Sequence, residues 1–133
     1  MIRTDIDIKD ALWSWISGSS LAGEVSGGVY KDKRPLNSSK EDIVIAVIAR
    51  DAGAQVQRAT ANVNIYVADI RRGQEAIEDT ARLRVLCGEA ADLFGYRHEG
   101  DAIYELDSQE VMEVAGADWH VINNRLTIRY NNE

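Results

Sequence analysis

Hydrophobic positions near the start of the chain follow the spacing of an amphipathic helix. Between Ile6 and Ser17, apolar side chains recur every three or four residues, and Thr4 or Asp5 can cap the start of the helix. The predicted buried stripe comprises Ile8, Leu12, Trp15 and Ile16. Trp13 lies off this stripe, so it is either exposed for an interface or semi-buried beside Trp15.

Strand patterns follow in the first half of the chain. Glu24–Lys31 indicates a short strand, whose Gly27 and Gly28 suggest a bulge or a close approach of another backbone segment. Ile43–Ala49 is apolar at every position, which predicts a central strand covered on both faces. Ala61–Val67 alternates apolar and polar side chains, and this pattern predicts a half-buried strand.

The second half predicts one long helix and two strands. Gly73–Phe94 carries a helical apolar stripe that would extend roughly 30 Å at 1.5 Å per residue, enough to cross a sheet. Ile103–Val114 indicates an acid-rich strand with a bend or bulge. His120–Tyr130 indicates a final strand, with a hairpin turn at Asn123-Asn124 as the alternative.

The order of these elements, α-β-β-β-α-β-β, predicts an α+β fold. Runs of strands with few helices between them favour an antiparallel or mixed sheet, here of about five strands. Both helices are expected on one face, with the long helix packed across the sheet. A chain of 133 residues is the size of a single domain, so residues 1–133 are expected to form one.

The composition is that of a protein in a reducing compartment. The chain contains one cysteine, Cys87, so it cannot form an internal disulfide framework. No apolar run approaches the roughly 20 residues needed to cross a bilayer, and the first residues do not resemble a signal peptide.

Negative charge is concentrated in the second half of the chain. Residues 1–67 are balanced, whereas residues 68–133 carry the whole formal net charge of −7. The segment from Glu99 to Asp118 contains seven acidic residues and no lysine or arginine. Because an acidic surface repels the phosphate backbone, we do not expect tight nucleic-acid binding. This segment is either a solvated sheet face or a functional acidic surface.

No motif in the sequence predicts catalysis or a cofactor. His98-Glu99-Gly100-Asp101 is the best candidate cluster, but it lacks metal-site spacing and is more typical of a polar turn. Cys87 is expected on the core face of the long helix, where thiols behave as small apolar side chains. His120 is expected to be structural. We therefore predict no enzyme activity, no metal and no cofactor.

Charge does suggest a self-association surface. The loop after the first strand is basic, and a second copy of the acidic segment would be a natural partner for it. The candidate surface residues are Lys31, Lys33, Arg34, Glu105, Asp107, Glu110 and Glu113. Complementary patches on different surfaces of one chain generate head-to-tail rings or fibres.

Three segments together resemble phage tail completion or tail terminator proteins. They are "GGVYKDKRPLNSSKEDIVI", "ANVNIYV" and the closing "WHVINNRLTIRY", joined by an N-terminal helix and a long helix with alternating charge. The resemblance implies an α+β fold and a ring, usually a hexamer, that caps the tail tube and joins tail to head. It implies tail-tube and head-connector partners, no reaction, and a location in the virion or the bacterial host cytoplasm.

Other functions remain open from the sequence. The chain is also compatible with another head–tail neck or tube component. A small acidic module that neutralises a basic partner, in the manner of an immunity protein, is a further alternative. A pocket that joined His98, Asp101 and His120 would instead favour an enzyme.

Overall fold

The computed structural model describes residues 3–52 and 56–131, which adopt a mixed α+β fold with a mostly antiparallel sheet. Three helices occur among these residues: α1 Asp5–Ser17, α2 Ser20–Glu24 and α3 Thr80–Phe94. The strands are β1 Val29–Lys31, β2 Ile43–Ala52, β3 Val56–Ala68, β4 Ile70–Arg72, β5 Glu75–Ile77, β6 Tyr96–Glu99, β7 Ala102–Glu113 and β8 Trp119–Asn131. The predicted fold class is confirmed, but the prediction of two helices and about five strands is too low.

The main sheet has six strands in the order β1-β2-β3-β8-β7-β6. Strands β1 and β2 are parallel, and every other neighbouring pair is antiparallel. Strands β4 and β5 form a separate two-stranded ribbon. The predicted order of elements is therefore wrong in detail, because it lacks α2, this ribbon and β6.

The core lies between the helices and one face of the sheet. Helix α1 contributes the fully buried Ile8, Leu12 and Ile16, as its stripe predicted, and Trp15 is partly buried. The Trp15 ring packs edge-on against Phe94 of α3, with ring centroids 5.6 Å apart. Each large buried apolar side chain contributes about 1.5–3 kcal/mol, so these contacts are the main force that holds α1 and α3 on the sheet.

Helix α1 begins where the sequence predicted. The Thr4 hydroxyl accepts from the Asp7 amide, and the Asp7 carboxylate accepts from the Thr4 amide at 2.8 Å. This reciprocal pair is a capping box, which satisfies amides that have no partner within the helix. The hydrogen bonds lower the pKa of Asp7 because they favour its ionised form.

The predicted helix Gly73–Phe94 is wrong in its first turns. Gly73 has φ +63°, a left-handed conformation that suits glycine, and it forms the turn of the β4–β5 ribbon. Helix α3 begins only at Thr80, where the Asp79 carboxylate accepts from the Arg82 amide at 3.2 Å. The helix is therefore 15 residues long and packs against β7 and β8.

The strand predictions have mixed outcomes. The alternating strand Ala61–Val67 is confirmed within β3, and the final strand is confirmed as the continuous β8, so the hairpin alternative at Asn123-Asn124 is wrong. Strand β7 is confirmed and contains the expected bulge, between Leu106 and Ser108. Of the predicted strand Glu24–Lys31, only Val29–Lys31 forms a strand, and Glu24 is instead the last residue of α2.

Two features of the region around β2 refine the sequence interpretation. A side chain at Gly27 would overlap the Asp42 carboxylate and the Glu41 carbonyl, so the expected close backbone approach is confirmed. Strand β2 has a neighbouring strand on both sides only at residues 43–45, where β1 pairs with it. The expectation that this strand is covered on both faces throughout is wrong, since Ile48 lies at a register shift and is 49% exposed.

Candidate functional site

Arg34, one of the predicted basic surface residues, is held inside its own loop. Its Nε donates to Oδ2 of the buried Asp42 at 3.0 Å, and its Nη2 donates to the Lys40 carbonyl at 2.8 Å. The guanidinium stacks over the rings of Tyr66 and Trp119, at 4.6 and 4.2 Å from their centroids. Such cation–π contacts stabilise the loop against the sheet, so Arg34 has a structural task.

Lys31 and Lys33 differ in how far they are engaged. The Lys31 ammonium pairs with Asp10 of α1 and lies over the Trp13 ring, 5.9 Å from its centroid. Lys33 is exposed, and no ion pair of its side chain occurs among the described residues. Of the three predicted bases, Lys33 is therefore the one whose charge is most available to a partner.

The acidic candidates all lie on β7, but they also differ. Glu105 pairs with Arg129, and Asp107 accepts a hydrogen bond from Thr127, both on the neighbouring strand β8. Glu110 and Glu113 are exposed, and their side chains have no ion pair or hydrogen bond within the described residues. The available negative charge is thus concentrated in the second half of β7.

Within one chain, the two predicted groups are kept apart. Lys31 ends β1 and Lys33 follows it, at one side of the six-stranded sheet, whereas β7 lies toward the opposite side. The structure therefore does not bring the basic and acidic residues into one site. It places them on opposite flanks, where they can meet only between two copies or with other partners.

The flank formed by β1 is protected. The Trp13 indole donates to the Val29 carbonyl at 3.0 Å and so satisfies a main-chain acceptor on the outer side of β1. Lys9 adds an ion pair to Asp32 at 2.9 Å, just beyond the end of the strand. Such covering of an edge strand prevents pairing with a foreign strand. Trp13 is 41% exposed, so its role is to cover an edge and not to fill the core.

Two other strand segments have no such cover. Strand β6 pairs with β7 only at residues 102–105, and no strand among the described residues pairs with the outer main-chain side of residues 106–113. The same holds for residues 46–52 of β2, beyond the end of β1. We refer to residues 46–52 as the β2 open edge and to residues 106–113 as the β7 open edge. Both lie within the described part of the chain.

Exposed apolar side chains accompany these open edges. Ile48 lies on the β2 open edge, and Val111 and Met112, at 38% and 39% exposure, lie on the β7 open edge. A long, unpaired strand edge with apolar side chains is a typical site of association with another chain. Sequence reasoning missed these residues, because an apolar run does not show which part of a strand lacks a neighbour.

The histidine candidates do not converge. Asp101 lines a cleft of about 400 Å³ beside α1, His120 lines a separate cleft of about 490 Å³, and His98 lines neither. His120 instead contacts Asp69, with Nδ1 and Oδ1 2.6 Å apart. Among the described residues, no group of three or more His, Cys, Asp or Glu side chains is placed to hold a metal ion.

Charges around the first cleft neutralise one another. The Arg3 guanidinium donates to both carboxylate oxygens of Asp101, at 2.7 and 2.8 Å, and Arg97 pairs with Glu99. Several acids of the segment 99–118 are therefore committed to pairs within the chain. The Arg3–Asp101 contact fixes the N-terminal segment to the turn between β6 and β7, whereas the Arg97–Glu99 pair lies within β6.

Buried polar groups near this cleft are poor proton donors. Burial raises the pKa of Tyr130, and the neighbouring Tyr104 raises it further. Burial also raises the pKa of Tyr104. On α3, Cys87 is partly buried, and this burial raises the pKa of its thiol, which disfavours the reactive thiolate.

No helix among the described residues is long and apolar enough to span a membrane. Comparison with known proteins does not assign the chain to a family. The chain matches no family model, and no curated protein sequence matches it.

Proposed function

We propose that this chain is a structural assembly subunit of the phage tail completion or tail terminator type. In this function it forms a ring, a hexamer, which caps the tail tube and presents a joining surface to the head. It acts without catalysis or cofactor, its partners are further copies and tail-tube and head-connector proteins, and it resides in the virion or the bacterial host cytoplasm.

The observation that carries this proposal is the placement of unlike charges on opposite flanks of one sheet. Lys33 lies beyond the end of β1, and Glu110 and Glu113 lie on β7, three strands beyond β2. Surfaces that complement each other from opposite sides of a subunit favour head-to-tail contacts, which close into a ring when the rotation fits.

Charge also suits a ring through which DNA passes. The β7 open edge contains three acidic residues and no lysine or arginine. Acidic surfaces repel the phosphate backbone and so do not retain nucleic acid that must move past them. Neither tight DNA binding nor membrane attachment forms part of the proposed function.

Light scattering after size exclusion, over a range of protein concentrations and at low and high salt, tests the proposal. We expect a hexamer-sized species at high concentration and weaker association at high salt, since salt screens exposed charges. Lys33→Gln and Glu113→Gln should each weaken association at low salt, whereas the charge-preserving Lys33→Arg and Glu113→Asp should not. Arg34 is unsuitable for this test because its replacement would also loosen the loop.

The other outcomes favour other functions. A strict monomer that binds a basic protein would contradict the ring and favour the acidic binding module, for which Glu110 and Glu113 would be the contacts. A species that stacks without limit would favour a tube component over a terminator.

A further inference from the structure

The two open edges lie at diagonally opposite ends of the sheet. Strand β1 covers the first residues of β2, and β6 covers the first residues of β7. Because β2 and β7 are separated by three antiparallel steps, they run in opposite directions. The covered part of β2 and the covered part of β7 therefore lie at opposite ends of the sheet. On each flank the outermost strand is shorter than the strand beside it, and its end leaves a step.

Main-chain groups on both open edges are oriented to accept another strand. The Tyr66 amide donates to the Asp42 carbonyl at 3.0 Å, and the alternation of antiparallel pairs, displaced by one residue at the register shift between Val47 and Ala49, then directs the Arg50 amide away from β3. The Val114 amide donates to the Trp119 carbonyl at 3.0 Å, which by the same alternation directs the Val111 amide away from β8. Each flank thus presents unpaired donors and acceptors.

A second copy in the same orientation presents strand directions that match. Its β2 runs opposite to the β7 of the first copy, so the two strands can form an ordinary antiparallel ladder. The step made by β6 on the first copy would lie beyond the end of the neighbouring β2. The neighbouring β1 would lie beyond the end of β7, so the stepped flanks are complementary in outline.

The offset between the open edges sets the slant of the strands in such an assembly. In register, the β2 open edge is level with residues 125–130 of β8, and the β7 open edge is level with residues 120–126. The offset is about four to five residues, or roughly 15 Å along the strands, against roughly 19 Å for four interstrand spacings. Strands would therefore tilt by roughly 40°, within the 35–45° at which sheets close on themselves.

We propose that the β2 open edge of one copy pairs with the β7 open edge of the next copy, so that the sheets of neighbouring subunits become continuous. This inference rests on the proposed function, because it names the interface of the ring. Charge favours this pairing over a twofold antiparallel pairing of β7 with itself, which, when centred on Glu110, would place Glu110 opposite its own copy and Asp107 opposite Glu113. The same joint brings Lys31, at the end of the neighbouring β1, toward Glu113.

Two variants that each block one edge test this pairing. Val111→Pro removes the outward amide of β7 while its ladder with β8 keeps its bonds, and Val111→Thr is the matched control. Ile48→Glu adds a like charge opposite the acidic β7 open edge, with Ile48→Thr as its control. Circular dichroism and thermal unfolding establish that each variant is folded, and native mass spectrometry and sedimentation velocity measure assembly.

We expect the wild type and both threonine controls to form the same oligomer. Each blocked variant alone should be monomeric, with association weakened about tenfold or more. A mixture of the two blocked variants should stop at a one-to-one heterodimer, because Val111→Pro keeps an intact β2 open edge and Ile48→Glu keeps an intact β7 open edge.

Contrary outcomes separate this inference from the proposed function. If folded Val111→Pro and Ile48→Glu assemble as the wild type does, the edge pairing is wrong and the ring proposal stands. If either variant forms a homodimer by itself, the interface is twofold and the head-to-tail pairing is wrong. A wild type that stays monomeric at the highest attainable concentration contradicts both proposals.

Discussion

The β1 flank and the β7 flank of the same sheet are built in opposite ways. At the β1 flank, Trp13 caps a main-chain carbonyl, Lys9 and Lys31 pair with acidic residues, and Arg34 is stacked on aromatic rings. At the β7 flank, residues 106–113 have no covering strand, and Glu110 and Glu113 have no partners among the described residues.

The edge strand β1 is therefore protected in the isolated chain, whereas the β2 open edge and the β7 open edge, one on each flank, are not. Natural sheets protect their edge strands with side chains, charges or covering elements, since an open edge invites uncontrolled pairing. These devices protect β1, whereas no element of the described part of the chain covers the β7 open edge. Substitutions that remove contacts near β1 and on the β7 open edge test this difference.

The largest effect is expected at Asp42, which anchors the loop of the protected flank. This carboxylate is 1% exposed and binds both Arg34 and Ser38. Asp42→Ala leaves the partly buried Arg34 guanidinium without its counter-charge and should lower the free energy of unfolding by about 3 kcal/mol. Urea unfolding measures the loss. Asp51→Ala, at an exposed position on the β2 open edge, is the control and should change stability by less than about 0.5 kcal/mol. Equal losses for Asp42→Ala and Asp51→Ala would show that Asp42 does not anchor the loop.

Trp13→Ala should leave the edge strand β1 without its cover. Loss of the indole removes a hydrogen bond and apolar cover from β1, with an expected cost of about 1–2 kcal/mol in thermal or urea unfolding. The more specific result is non-native self-association of the folded variant, seen by dynamic light scattering. Trp13→Phe retains most of the cover and serves as the control. A variant that is destabilised yet no more prone to associate would show that Trp13 does not protect the edge.

A smaller, pH-dependent effect is expected at Glu41, beside the start of β2. Arg82 donates to both of its carboxylate oxygens, at 2.7 and 2.8 Å, and this lowers the pKa of Glu41 below its ordinary value of 4.5. A carboxylate with a depressed pKa stabilises the fold above its ordinary pKa and loses that contribution as pH falls through the folded-state value. Glu41→Gln should therefore cost about 1 kcal/mol at pH 7.

The measurement is urea unfolding of the wild type and of Glu41→Gln between neutral and acid pH. The difference between the two should shrink as pH falls below 4.5, because the wild-type carboxylate becomes protonated. Glu110→Gln, on the open flank, is the control for general charge effects. A difference that is independent of pH would show that the Arg82 contact stabilises the fold by packing alone.

The smallest effect is expected for the acids of the β7 open edge. Glu110→Gln and Glu113→Gln remove exposed charges that have no partner in the described chain, so each should change monomer stability by less than about 0.5 kcal/mol. So small a loss of stability, measured at low concentration and high salt, would show that these acids do not stabilise the monomer, in contrast to Asp42. A loss above 1 kcal/mol in either variant would instead assign these residues a role in the fold.

Regular patterns were the parts of the fold that the sequence could predict. Helix α1, β3 and β8 were identified because their apolar side chains repeat over at least seven residues and face one core. The start of α3 was missed because Ala76 and Ile77 lie in phase with its stripe. Two local signals opposed the longer helix: Gly73 lies in the turn of the β4–β5 ribbon, and Asp79 caps the start of α3.

The candidate surface was less accessible from the sequence. The seven charged residues were identified by local charge density, which cannot show that Arg34 binds Asp42 or that Glu105 binds Arg129. Contacts between distant positions, such as Arg3 with Asp101, depend on the completed sheet. The open edges depend on strand order, because β2 lacks a neighbour only where β1 ends.

The three tryptophans sample three different regions of the molecule. Trp13 covers the β1 flank, Trp15 packs against Phe94 in the core, and Trp119 lies beneath the Arg34 guanidinium. The fluorescence of the chain is therefore a sum of one edge, one core and one loop environment. Chains that keep a single tryptophan would each carry an intrinsic optical probe for one region, with no added dye.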